Sequence, residues 1–172
     1  MVRTIGGEDA VGVCGSGLID AVAELVRAGV VEPSGRLRPA AELSGKVPAR
    51  LLERLVEAPT GERAVWLAGP ADRRVLLTAG DIRQLQLVKG SIAAGVRTLL
   101  DQAGLCEQDL DEVLIAGAFG NYLRKESAQA IGLVPRIDPE RVRFVGNAAG
   151  AGARLALVSP QARERAERLA CH

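Results

Sequence analysis

Asp111–Leu123, reading DEVLIAGAFGNYL, constrains this chain more than any other stretch. Val113, Leu114 and Ile115 form an apolar run that ends in Gly117-Ala118-Phe119-Gly120, followed by Asn121 and a segment able to turn helical. The pattern predicts a buried strand delivered into a glycine turn. Glycines leave no Cβ in the way, so backbone N–H groups can approach a ligand closely. At the carboxyl end of a strand and just before a helix, such a turn suits phosphates or the sugar and base of a nucleotide. A tight packing turn has the same local pattern, so a single turn leaves both readings open.

Two more turns of this kind are legible. Near the start, Val11–Val13 reads as a strand, paired with Val2–Ile5 around Gly6-Gly7-Glu8-Asp9. It passes through Cys14-Gly15-Ser16-Gly17 into a helix predicted over Leu18–Ala28, with Leu18, Ile19, Val22, Leu25 and Val26 at helical spacing and Gly29 as its stop. Near the end, a strand over Arg141–Val145 runs into Gly146-Asn147-Ala148-Ala149-Gly150 and a helix over Ala153–Val158. Three strand–glycine–helix turns could converge on one ligand.

The intervening segments predict a mixed α/β order. Glu32–Val47 carries Pro33, Gly35, Pro39 and Gly45 and reads as an irregular excursion or a short amphipathic insertion. Pro48–Glu57 predicts a helix opened by proline, and Arg63–Ala68 and Arg74–Leu77 predict paired strands. Thr78 is a natural N-cap for a long helix from Ala79 to Ala103, with Ile82, Leu85, Val88, Ile92, Val96, Leu99 and Leu100 in one stripe. Gly90, Ala93, Ala94 and Gly95 keep its middle slim, as close packing against a sheet or helix requires. Glu126–Ile131 predicts a short helix and Pro160–Ala170 a charged surface helix.

Composition excludes several function classes. The chain has 172 residues, enough for one domain with a proper core, yet aromatics make up only 2%. Few rings are available to stack on bases, and 22 Lys plus Arg nearly balance 21 Asp plus Glu. Neither a nucleic acid nor an anionic membrane is an expected partner. Cys14, Cys106 and Cys171 are widely spaced, and the sole histidine is His172. No metal site is therefore expected from this chain alone. Free cysteines, with no apolar run long enough to span a bilayer and no secretory signal, point to a cytoplasmic protein.

Candidate site residues follow from the turns. Gly15, Ser16 and Gly17 offer backbone amides, a hydroxyl and a helix N-terminus to a phosphate, while a tight turn capped by Ser16 is the plainer alternative. Cys14 would be a nucleophile only if the helix N-terminus lowered its pKa, and no histidine stands by as its base. Lys89 interrupts the slim face of the long helix, where it either reaches an anionic ligand or snorkels to water. Asp20, Asp81 and Asp111 read as magnesium-side carboxylates or as caps and surface charges. Phe119 and Tyr122 flank the central turn and would wall an adenine or fill core.

Four strings occur in order: TIGGEDAVGVCGSGLIDAVAELVRAGVV, LTAGDIRQLQLVKGSIAAGVRTLL, VLIAGAFGNYLRKESAQAIGLVP and FVGNAAGAGARLAL. Together they closely resemble the C-terminal part of the reductive activators of corrinoid-dependent methyltransferases, the RACo family. The resemblance runs along nearly the whole chain and is weakest over Glu32–Arg73. It implies an α/β fold: an RNase H-like, actin-like ATPase lobe with a small mixed sheet flanked by helices, of the acetate and sugar kinase, heat-shock chaperone and actin superfamily. It further implies ATP held between two lobes, with Ala116-Gly117-Ala118-Phe119-Gly120 matching the adenosine motif on the ribose and α-phosphate side, so that Gly117, Ala118, Phe119, Gly120 and Asn121 would line the adenosine site. Cys14–Gly17 becomes a phosphate-side or interlobe turn by analogy, and Gly146–Gly150 resembles a family glycine turn without an assigned role. The implied partner is a corrinoid protein whose cobalt has slipped to Co(II) and is restored to Co(I).

The departures set an expectation too. The superfamily's Asp-Ile-Gly-Thr type phosphate loop, which positions magnesium, is missing, as is the cysteine cluster that holds [2Fe-2S] in full-length relatives. The expectation is a single C-terminal lobe, a fragment with no catalytic residue of its own and with magnesium held by the other lobe. A different class of function is a module that docks a corrinoid protein, or a second copy in a homodimer, without nucleotide.

Overall fold

The computed structural model describes residues 4–117 and 122–171. Helix α1 spans Gly15–Arg27, and its apolar positions Val22, Ala23 and Leu25 are buried. It stops where the sequence predicts, with Gly29 in the left-handed region at φ 70°. The segment before it differs from expectation. Ile5–Gly7 is a 3-10 turn, and Val11–Val13 is extended but pairs with no described strand. Gly6 and Gly7 are both at positive φ and Val11 is 94% exposed, while Val2 and Arg3 of the expected partner strand lie outside the described residues.

The excursion after α1 is an ordered clasp. Val31 and Leu37 form an isolated antiparallel bridge, and both side chains are buried. Glu32 closes the turn by accepting from Arg36 and from Arg38 Nε at 3.1 Å, while Gln86 Nε2 donates to Ser34 O at 2.7 Å. Gly35 is required here, since it sits at φ 82° and an added Cβ would lie 2.0 Å from Gln86 Nε2. Short helices α2 (Ala40–Leu43) and α3 (Ala49–Leu52) follow.

The helix expected over Pro48–Glu57 ends early. Leu55–Glu57 is strand β1, which pairs antiparallel with β2 (Arg63–Ala68) in the register Leu55↔Val65. Tertiary pairing overrides local helical preference in so short a stretch. Arg54 reinforces it by donating from Nη1 to the carbonyls of Trp66 and Leu67 at 2.8 and 2.9 Å. Strand β3 (Val75–Thr78) completes a three-stranded antiparallel sheet in the order β1-β2-β3.

Helix α4 spans Ala79–Ala103, as predicted. Its start is a capping box, with Asp81 N–H donating to Thr78 Oγ1 at 3.1 Å and Thr78 N–H donating to Asp81 Oδ2 at 2.8 Å. Gly104, at φ 66°, ends it in the left-handed conformation. Ile82 and Leu85 join a core with Val22, Leu25, Val30, Leu43, Val65, Leu77 and Ile131. The stripe then leaves the core: Val88, Ile92 and Leu99 are exposed, and only Leu100 of the distal half is buried.

Strands β4 (Val113–Ala116) and β5 (Val142–Gly146) form a separate two-stranded parallel sheet, in the register Val113↔Val142 and Ile115↔Phe144. Helix α5 (Lys125–Ala130) lies between them in sequence and packs on α1. Helices α6 (Ala148–Val158) and α7 (Pro160–Ala170) pack on each other, and neither has a buried residue. Five predicted starts move by a residue or more: α1 begins at Gly15 rather than Leu18, β3 at Val75 rather than Arg74, α5 at Lys125 rather than Glu126, α6 at Ala148 rather than Ala153 because Asn147 caps it, and β5 at Val142 rather than Arg141. Parallel sheets are ordinarily covered on both faces, yet Leu114 and Val145 here stand exposed. Among the described residues no helix is long and apolar enough to cross a membrane.

Two measurements check this account. Thr78→Ala, which removes one half of the capping box, should cost about 1 kcal/mol in denaturant unfolding. Arg36 and then Arg38 beside Glu32 hold its carboxyl at about 2. Because the folded value is lowered, the clasp's contribution is complete above the ordinary carboxylate range and is lost as pH falls towards 2. A carboxyl-carbon NMR titration should find the Glu32 midpoint well below the other glutamates, and Arg36→Gln should raise it.

Candidate functional site

Two of the three glycine turns meet at the carboxyl ends of β4 and β5. Gly117 N–H donates to Gly146 O at 2.7 Å, and a register slip after Ile115 pairs Ala116 with Gly146. Both glycines have positive φ, 105° and 66°, and an added Cβ at either would meet nothing within 4 Å. Among the described residues, then, no side chain or backbone crowds the Cβ positions of Gly117 and Gly146. Asn147 then caps α6, its Oδ1 accepting from Gly150 N–H at 2.9 Å. Gly150 makes room for that cap, since an added Cβ would approach the Asn147 side-chain nitrogen to 2.6 Å. The carboxyl end of a parallel strand pair beside a helix N-terminus is a place that suits an anionic or hydroxyl-rich ligand, although the Gly117 amide is spent on Gly146 O and the Gly150 amide on Asn147.

Ala118, Phe119, Gly120 and Asn121, expected to complete the central turn, lie outside the described residues. The chain resumes at the exposed Tyr122 and the buried Leu123. Helix α5 follows and ties this end of the molecule to α1: Arg27 Nη2 donates to Glu126 O at 2.9 Å, and Arg124 pairs with Glu24 at 3.8 Å.

The first turn is built differently from the other two. Val11–Val13 form no strand with any of the described residues, and the cap of α1 is Cys14 rather than Ser16. Gly17 N–H donates to Cys14 Sγ at 3.4 Å, and the Ser16 hydroxyl lies 3.4 Å from the same sulfur. The Ser16 hydrogen bond, and then the Gly17 amide, stabilise the thiolate and lower the Cys14 pKa. Cys14 is exposed.

The remaining candidates are dispersed. Lys89 Nζ donates to Ile131 O at 2.6 Å, satisfying a carbonyl at the end of α5. Asp81 is held in its capping box, and the carbonyl of Asp111 accepts from Arg141 Nε at 2.9 Å. One carboxylate oxygen of Asp20 is buried without a partner among the described residues. No cluster of three metal-ligating side chains occurs among the described residues. A groove of about 570 Å³ runs between Asp9–Val13 and β3, with Arg73, Arg74 and Asp81 on its walls. It does not include the strand-end turns, and Arg74 is stacked 4.6 Å over Trp66.

Residues 1–172 match the family model described as the C-terminal domain of RACo, the ASKHA domain. The chain belongs to that family. Over 152 residues it is 38% identical to the corrinoid activation enzyme RamQ of Eubacterium limosum, covering 87% of this chain and 26% of RamQ. It is 28% identical over 148 residues to the [Co(II) methylated amine-specific corrinoid protein] reductase of Methanosarcina barkeri, covering 86% of this chain and 22% of that protein. The solved reductive activator for corrinoid, iron-sulfur protein superposes with a TM-score of 0.79 at 38% identity, over 98% of this chain and 26% of that one. The chain thus spans about a quarter of the length of these relatives. Its mixed α/β fold, with small sheets flanked by helices, is that of the actin-like ATPases.

Within this RACo-type domain, the pairing of Gly117 with Gly146 and the capping by Asn147 are what sequence reading missed. The signal was present in FVGNAAG: an apolar run, a glycine, then a cap residue with glycine three positions later. What it lacked was any indication that β4 and β5 are neighbours. For the first turn, the alkylation rate of Cys14 should have its pH midpoint below that of an ordinary thiol. Ser16→Ala, which removes the largest stabilising contact of the thiolate, should move that midpoint up; an unchanged profile would show that the hydroxyl has no part in it.

Proposed function

We propose that this chain is the nucleotide-facing C-terminal lobe of an ATP-dependent reductive activator of corrinoid proteins, working in the cytoplasm. The observation that carries the reading is the hydrogen bond from Gly117 to Gly146 at the carboxyl ends of β4 and β5, beside the Asn147-capped start of α6. Glycine backbone, with no Cβ of its own, can lie flat against a ribose and the adjoining phosphate. In this reading Gly117–Asn121 line the adenosine, and Gly15, Ser16 and Gly17 contribute amides and a hydroxyl on the phosphate side. Lys89 is a lesser candidate, with one of its three donors already on the Ile131 carbonyl.

ATP, when bound, would supply the driving force for an unfavourable one-electron reduction of the partner's cobalt from Co(II) to Co(I). Magnesium would be held through the companion lobe, and a [2Fe-2S] centre belongs to full-length relatives rather than to these residues. What this chain contributes is one wall: it orients the nucleotide and excludes water from one side. The exposed stripe of α4 and the uncovered faces of β4 and β5 suit a surface against which a companion lobe closes.

A second reading is favoured by the helical hairpin α6–α7, where Leu157 and Val158 are 78% and 77% exposed. Here the lobe docks a corrinoid protein, or a second copy of itself, without using nucleotide. The test joins this chain to an upstream lobe and measures thermal unfolding with and without ATP. Saturating nucleotide, at about a hundred times Kd, should stabilise the protein by about 2.7 kcal/mol. Gly117→Val should abolish the difference between the two curves. No nucleotide-dependent shift, together with capture of a corrinoid protein that is indifferent to ATP and to Gly117→Val, would instead establish the docking reading.

A further inference from the structure

A second, smaller cavity of about 210 Å³ lies between α1, α4, the Glu32–Gly35 turn and the end of α5. Its floor is the hydrophobic core itself: Val22, Ile82, Leu85 and Ile131, all buried. Its rim carries two cations, Lys89 and Arg136. Lys89 is half-buried and uses one donor on the Ile131 carbonyl, and neither it nor the Arg136 guanidinium has an anionic partner among the described residues. The one acid on the rim, Glu32, cannot neutralise them, because its oxygens already accept from Arg36, Arg38 and Ser34.

The cavity is also held open in advance. The Gln86–Ser34 hydrogen bond seats the turn against α4, and Gly35 is the residue that lets Gln86 reach it. An apolar floor wants an apolar group, and two cations without anionic partners at the mouth want an anion. The volume is below the range of roughly 300–1,000 Å³ typical of sites for drug-sized ligands, and so too small for a nucleotide. We infer that this cavity binds a small organic monocarboxylate, with its compact apolar group on the core residues and its carboxylate between Lys89 and Arg136. The lining does not include Gly117 or Gly146, so the site is separate from the strand-end turns.

Benzoate and its neutral analogue benzyl alcohol are the probes, titrated into the isotopically labelled full chain and followed by amide chemical shifts. Benzoate should give saturable shifts at Gly35, Lys89, Ile131 and Gly132, and benzyl alcohol should not. Arg136→Gln, which alters an exposed guanidinium, and Lys89→Met should each weaken benzoate by about tenfold. Raising the salt concentration should weaken it further. Equal shifts with both probes, absence of saturable shifts with benzoate, or undiminished binding by Arg136→Gln would each overturn the assignment. Loss of binding in Lys89→Met alone would mark a structural effect on α5 and would likewise overturn it.

Discussion

Ile82 and Leu85, packed from α4 against Val22 and Leu25 of α1 and Val65 and Leu77 of the β2–β3 hairpin, form the seam from which the other elements hang. Each such side chain, once buried, contributes about 1.5–3 kcal/mol, more than any surface ion pair of this molecule can. The seam lies at the start of α4, one turn after the Thr78–Asp81 capping box that aims the helix. The Glu32 clasp, α3 and β1 then fold onto the same cluster, with Leu37 and Leu43 buried and Leu55 packed against it.

The strand-end turns hang from that seam through fewer links. Helix α5 reaches it through the buried Ile131, the Lys89 bond and the Arg27 bond to Glu126 O. Beyond α5, the parallel pair β4–β5 and the hairpin α6–α7 bury little apolar surface of their own. A parallel pair is intrinsically a fragment of a larger layer, because its backbone edges and both faces need cover. The half of the molecule that bears the candidate nucleotide wall is therefore the half with the least of its own core behind it.

This division explains which parts were legible in advance. Helix α4 was readable to the residue because Thr78, Asp81 and Gly104 are local signals that act over one turn. The Arg63–Ala68 strand was equally plain, while Leu55–Glu57 looked helical because nothing local reveals a strand partner eight or ten residues ahead. Val11–Val13 carry a strand-like composition but take no regular structure among the described residues, since three residues alone do not make a ladder. In the candidate site, Gly117 was conspicuous as a glycine ending an apolar run, whereas its hydrogen bond to Gly146, 29 positions on, was not.

The sequence by itself determined where α4 begins and ends, where α1 stops and where the backbone needs glycine, because caps and positive φ are decided within a few residues. It also carried family membership, since four motifs in register survive whatever the chain packs against. Only the tertiary structure decided that β4 and β5 are adjacent, that Leu55–Glu57 pairs as a strand, and that Lys89 turns toward Ile131. Those outcomes depend on which surfaces compete for burial and which donors find acceptors far along the chain. No local pattern encodes that competition.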